Sequence, residues 1–142
     1  MKKIALTIAL FSFTFFFSQK NENYLQIGYH SMCCGTPSAD PVMNYVNQFK
    51  KKKKVKNFEI YKQGGLGREG EFNLYVGTDG FSKTQKSKFI SGLKATIDSQ
   101  NKTRNPNSGG TVSFEETEMV KKADLSKARN LTLINKKTIK TK

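Results

Sequence analysis

Apolar and polar residues alternate over residues 24–29, with Leu25, Ile27 and Tyr29 on one side, and this period of two predicts a first strand. Residues 30–39, with Gly35 and Pro37, read as a loop. At Asp40 the period changes. Val42, Val46 and Phe49 recur at helical spacing with Tyr45 beside them, so a helix with an apolar stripe is expected. Asp40 offers an N-cap acceptor, and Pro41 suits the first turn. The helix runs out in Lys50, Lys51, Lys52, Lys53 and Lys54, cations that suit the negative end of the helix dipole. Residues 55–62 predict a second strand, with Phe58 and Ile60 on one face. Residues 71–77 predict a third, through Phe72, Leu74 and Val76. The glycine-rich stretch between them, 63–70, reads as a hairpin loop. Ser82-Lys83-Thr84-Gln85 has the form of a capping box. It opens a second helix whose buried face is Phe89, Ile90, Leu93 and Ile97. Residues 101–110 read as a loop, and 111–115 as a fourth strand through Val112 and Phe114.

The order is strand, helix, strand, strand, helix, strand. That order predicts an α+β fold, a ferredoxin-like βαββαβ sandwich with an antiparallel sheet and two helices on one face. A single domain over residues 19–116 accommodates it. Residues 117–142 form a C-terminal extension. In it, Leu125 and Ala128 suit a short helical turn, Leu131 and Leu133 suit an added strand, and the basic tail carries Lys136 and Lys137.

A different pattern precedes the domain. Lys2 and Lys3 lead into an apolar run over residues 4–17, broken by Thr7, Ser12 and Thr14, and Ser18-Gln19-Lys20 turns polar. A charged start, an apolar stretch and a small residue at the cut make residues 1–18 a signal peptide, with cleavage near Ser18. The run falls short of the roughly 20 residues of a membrane-spanning helix, and no second long apolar run follows. The expected mature chain is periplasmic or secreted, without a transmembrane segment.

Charge narrows the choice of partners. The chain has 25 Lys and Arg against 11 Asp and Glu, a formal net charge of +14. Such a field favours an anionic envelope component or an acidic protein. Nucleic acid is not expected, because Tyr45, Phe49 and Phe58 flank the lysine run at core-facing positions instead of forming a stacking surface.

The candidate chemistry lies in His30-Ser31-Met32-Cys33-Cys34, which holds the one His and both Cys of the chain. If the first strand continued through it, His30, Met32 and Cys34 would share a face. Imidazole, thioether and thiolate are ligands for a soft metal ion such as copper in its Cu(I) state. Cys33 and Cys34 are the expected thiolate ligands, with His30 and Met32 as helpers. Met32-Cys33-Cys34 loosely resembles the loop in which heavy-metal-associated domains hold Cu(I) through a Met-x-Cys-x-x-Cys motif. The cysteines here are adjacent, which departs from that spacing.

Other fates of the thiols stay open: an internal disulfide, an intermolecular one giving a disulfide-linked dimer, or inert packing. Neighbouring Cα atoms lie ~3.8 Å apart, below the usual disulfide range, so an internal Cys33–Cys34 bond is strained. A closed zinc site is not expected, since it wants four ligands.

Residues 65–70 match G-x-G-x-x-G, but a strand follows where a dinucleotide site needs a helix. Arg68 and the glycine amides remain candidates for holding an anion, as do the lysines at 50–54. Nothing assembles a base, a nucleophile and an orienting group, so the chain is expected not to be an enzyme. The function expected is that of a small exported binding protein with a soft-metal or thiol site. The alternative is an interaction module whose basic surface holds an anionic partner.

Overall fold

The computed structural model describes residues 21–56, 58–107 and 109–135. The expected signal peptide and the lysines at 136 and 137 lie outside the described residues. The elements are β1 (Asn23–His30), α1 (Asp40–Lys53), β2 (Ile60–Gln63), β3 (Phe72–Gly77), α2 (Lys83–Thr103), β4 (Thr111–Lys121), α3 (Lys122–Leu125) and β5 (Leu131–Leu133). They form a mixed α+β structure with one five-stranded sheet in the order β4-β1-β3-β2-β5. Every neighbouring pair is antiparallel.

Alternation along the strands divides the side chains between two faces. Leu25, Ile27 and Tyr29 of β1 meet Phe72, Leu74 and Val76 of β3 on one face. Val42, Val46 and Phe49 of α1 and Phe89, Leu93 and Ile97 of α2 close over them. Burying each such side chain contributes about 1.5–3 kcal/mol. Aromatic rings brace the floor of this core, with Phe49, Phe58, Phe81 and Phe89 packed at centroid distances from 5.0 to 6.3 Å. On the opposite face Tyr24, Tyr75 and Leu125 make a smaller cluster under α3. The Tyr24 hydroxyl donates to Glu59 at 2.5 Å, and Glu59 also takes Lys122 Nζ at 3.5 Å. Burial first, and then the bond to Glu59, push the Tyr24 phenol well above its ordinary pKa.

Several expectations need correction in detail. Asp40 is the first helical residue and not the N-cap; Ala39 holds that place, without a side-chain cap. The second strand is shorter than the sequence pattern predicts. Lys54 takes a left-handed conformation (φ 52°) that ends α1, and Val55 and Phe58 drop into the core before regular pairing starts at Ile60. β4 is longer, because it resumes pairing with β1 beyond Glu115. Leu25 faces Met119 and Ile27 faces Phe114, so Gln26 stands opposite a bulge formed by residues 115–118. The capping box at Ser82 and Gln85 is formed in both directions.

Candidate functional site

The thiol loop lies at the end of the sheet where β1 stops. His30 is the last residue of β1 and not part of the loop, and the chain bends over residues 32–34 instead of continuing as strand. His30, Met32 and Cys34 therefore do not share a face. His30 Nε2 stays on the helix-free side of the sheet, 2.8 Å from Ser113 Oγ. Gly28 makes room for that pair; a Cβ there would stand 2.6 Å from Ser113 Oγ and 2.7 Å from His30 Nε2. Met32 is 59% exposed, and its sulfur meets Arg104 Nη1 at 3.5 Å. A guanidinium beside that thioether opposes a bound cation there.

The bend has the opposite effect on the cysteines. In extended chain, neighbouring side chains diverge. Here the thiols of Cys33 and Cys34 are both exposed, and Cys34 is close enough to act on Cys33 through a hydrogen bond. That bond is the main cause holding the Cys33 thiol above its ordinary pKa, and the nearby Glu69 carboxylate adds to it. Cys33 Sγ also points toward the Asn107 carbonyl at 3.9 Å, a weak contact.

Cys34 stands on the lip of a cleft of about 370 Å³, a size that suits a small molecule. Its walls come from three segments: Cys34 to Pro37 after β1, Gln100, Asn101, Thr103, Arg104 and Asn105 at the end of α2, and Gly109-Gly110 before β4. Hydrogen bonds tie the segments together. Gln100 Nε2 donates to the Ser38 carbonyl at 2.7 Å. Arg104 Nη1 donates to the Gly109 carbonyl at 3.2 Å. Asn101 receives the Val112 amide at 2.9 Å and donates to the Val112 carbonyl at 2.8 Å. Gly110 passes so close to the His30 carbonyl and Pro37 that no side chain fits.

The four residues proposed as a metal set are thus divided. Cys33 and Cys34 are together, while His30 and Met32 are held apart by Ser113 and Arg104. Among the described residues, no three His, Cys, Asp or Glu side chains gather at metal-binding spacing. The anion-binding candidates are divided too. The lysines at 50–54 end α1 near the start of β2, with Lys50 Nζ 6.0 Å from the Phe58 ring centre. Arg68 is exposed in the hairpin loop beyond the other end of β2. Lys52 and Lys53 share a cleft of about 390 Å³ with Lys88, floored by Tyr45 and Phe49.

Arg104, Asn101, Ser113 and Lys88 carry no local signal that marks them. Arg104 sits in a stretch that reads as plain loop, and its partner Met32 is 72 residues away. No helix among the described residues is long and apolar enough to cross a membrane. No protein-family model, curated protein or solved structure matches this chain.

Proposed function

We propose that the protein is a small exported binding protein, without catalysis of its own, whose working element is the vicinal pair Cys33–Cys34. The pair acts as a two-sulfur site for a soft monovalent ion such as Cu(I). One observation carries this reading: at the bend over 32–34 both thiols are exposed and close enough for Cys34 to act on Cys33, so two thiolates on adjacent residues can take one ion. His30 and Met32 are not ligands in this version. Export rests on the leader-like pattern of residues 1–18, which places the mature chain in the periplasm or outside the cell. The strand order β4-β1-β3-β2 supports a ferredoxin-like core, with β5 added beside β2.

The test is a Cu(I) titration of the reduced protein against a competing chelator, read by native mass spectrometry. One ion per chain is expected, retained in His30→Ala and lost in Cys33→Ser/Cys34→Ser. Failure of the reduced wild-type chain to take up Cu(I) overturns the reading.

A second reading has its own observation. Among the described residues the ion pairs are Lys122–Glu59 and Lys127–Asp124, so the lysines at 50–54 and Arg68 have no carboxylate in ion-pair range. That surface is open to an anionic envelope component or an acidic protein.

A further inference from the structure

The two cysteines are not equivalent. Cys34 lines the 370 Å³ cleft, whereas Cys33 is outside it, turned toward Asn107. Arg104 lines the same cleft, so a molecule that fills it meets both Cys34 and Arg104. Arg104 Nη1 is occupied by the Gly109 carbonyl and the Met32 sulfur. Its Nε and Nη2 have no partner among the described residues, which leaves N–H groups for a carboxylate. The rest of the wall is neutral: Thr36, Gln100, Asn101 and Asn105 surround the site without an acidic side chain.

We propose that Cys34 forms a mixed disulfide with a small thiol that carries a carboxylate, the cleft seating the adduct and Arg104 holding its acid group. The inference rests on Cys34 as a working thiol and not on metal binding. The Cys34 thiol gives its proton to water, and the thiolate attacks one sulfur of a small symmetrical disulfide. The old S–S bond breaks as the new one to Cys34 forms. The other half leaves as a thiolate and takes up a proton. Cys34 is oxidised and the departing half is reduced, so no further oxidant is needed. Release by Cys33 would close the strained ring between adjacent residues, so the adduct persists.

The experiment uses the reduced, metal-free chain and two probes, dithiodipropionate and the neutral hydroxyethyl disulfide. Adduct formation is followed by intact mass at about 0.15 M salt, which screens the general basic field, and the site is mapped by peptide digestion. The expected result is an adduct on Cys34 that forms about tenfold faster with the acidic probe, the equivalent of one charge-assisted hydrogen bond. It survives Cys33→Ser and disappears in Cys34→Ser. Arg104→Gln brings the ratio of the two rates to about one, whatever its effect on the absolute rates, and Arg104→Lys restores part of the preference. Lys102→Gln removes the same charge from the exposed end of α2 and leaves the preference intact. Equal rates for the two probes, an adduct on Cys33, or the same loss in Lys102→Gln and Arg104→Gln would each overturn the proposal. Because copper is absent throughout, none of these results depends on the Cu(I) reading.

Discussion

Asn101 binds both main-chain groups of a single residue, Val112, with the two ends of its side-chain amide. The side chain thereby fastens the last turn of α2 to the first residues of β4. It also fixes the back wall of the cleft, since the neighbouring Gln100 and Arg104 are carried on the same turn.

Replacing Asn101 by Ala leaves a half-buried amide and carbonyl of Val112 without these partners. The expected cost is about 1–3 kcal/mol, seen as an earlier midpoint in urea with an unchanged slope. Asn101→Asp is expected to do no better. It still accepts from the Val112 amide but sets a carboxylate against the Val112 carbonyl. A midpoint equal to wild type in Asn101→Ala would show that the clamp adds nothing to stability.

Two glycines separate main-chain crowding from side-chain crowding. A methyl at Gly110 meets the His30 carbonyl and the Pro37 ring, whereas at Gly28 it meets the side-chain ends of Ser113 and His30. Gly110→Ala should therefore cost more than Gly28→Ala, by about 1 kcal/mol or more. Ser113→Ala should relieve Gly28→Ala and leave Gly110→Ala unimproved. Thermal unfolding of the two glycine variants, each alone and combined with Ser113→Ala, decides the order.

Much of the fold is legible in the sequence because its signals are local. Alternation at Leu25, Ile27 and Tyr29, the Asp40-Pro41 start and the Ser82–Gln85 box each act within a few residues, and each marks its element to within a residue or so. What escapes depends on contacts distant in the chain. Val55 and Phe58 look like strand residues because they are apolar, but both are drawn into the core, Phe58 against the rings of Phe81 and Phe89. The bulge at 115–118 depends on the register against Leu25 and Ile27, which no window around it contains. The site follows the same rule. Cys33 and Cys34 stand out as the only cysteines, yet their convergence comes from a bend that alternation did not foresee. Arg104 is invisible until the loops meet.

Asp79 makes stability depend on pH. Burial raises its pKa, but the amides of Glu22 and Asn23 and the Asn23 side chain donate to the carboxylate and outweigh burial, so the folded value lies below the usual one. A depressed value contributes stability that is present above the unfolded pKa, about 4, and is lost as pH falls through the folded value. Asp79→Asn should therefore be less stable than wild type at neutral pH, with the gap closing in acid. Chemical unfolding across that range tests it, and a gap independent of pH would remove Asp79 as the cause.

The basic surface gives a salt-dependent prediction. Binding of a sulfated polysaccharide probe should weaken steeply as salt rises and survive Cys33→Ser/Cys34→Ser. Replacing Lys52, Lys53 and Lys88 by Gln should weaken it more than replacing Lys102, Lys121 and Lys127, because the first three line one cleft. Equal losses, measured by calorimetry, would show that total charge and not the cleft sets affinity.

The bulge in β4 has a consequence for how this sheet meets other chains. β4 is an outer strand, and Asn101 already occupies the main-chain groups that Val112 turns outward. A few residues later the bulge breaks the ladder and displays Glu115, Glu116 and Glu118. On the opposite border, β5 offers three residues. Among the described residues an incoming strand finds no long, regular edge on either side, which resists extension of the sheet into stacked or fibrillar assemblies.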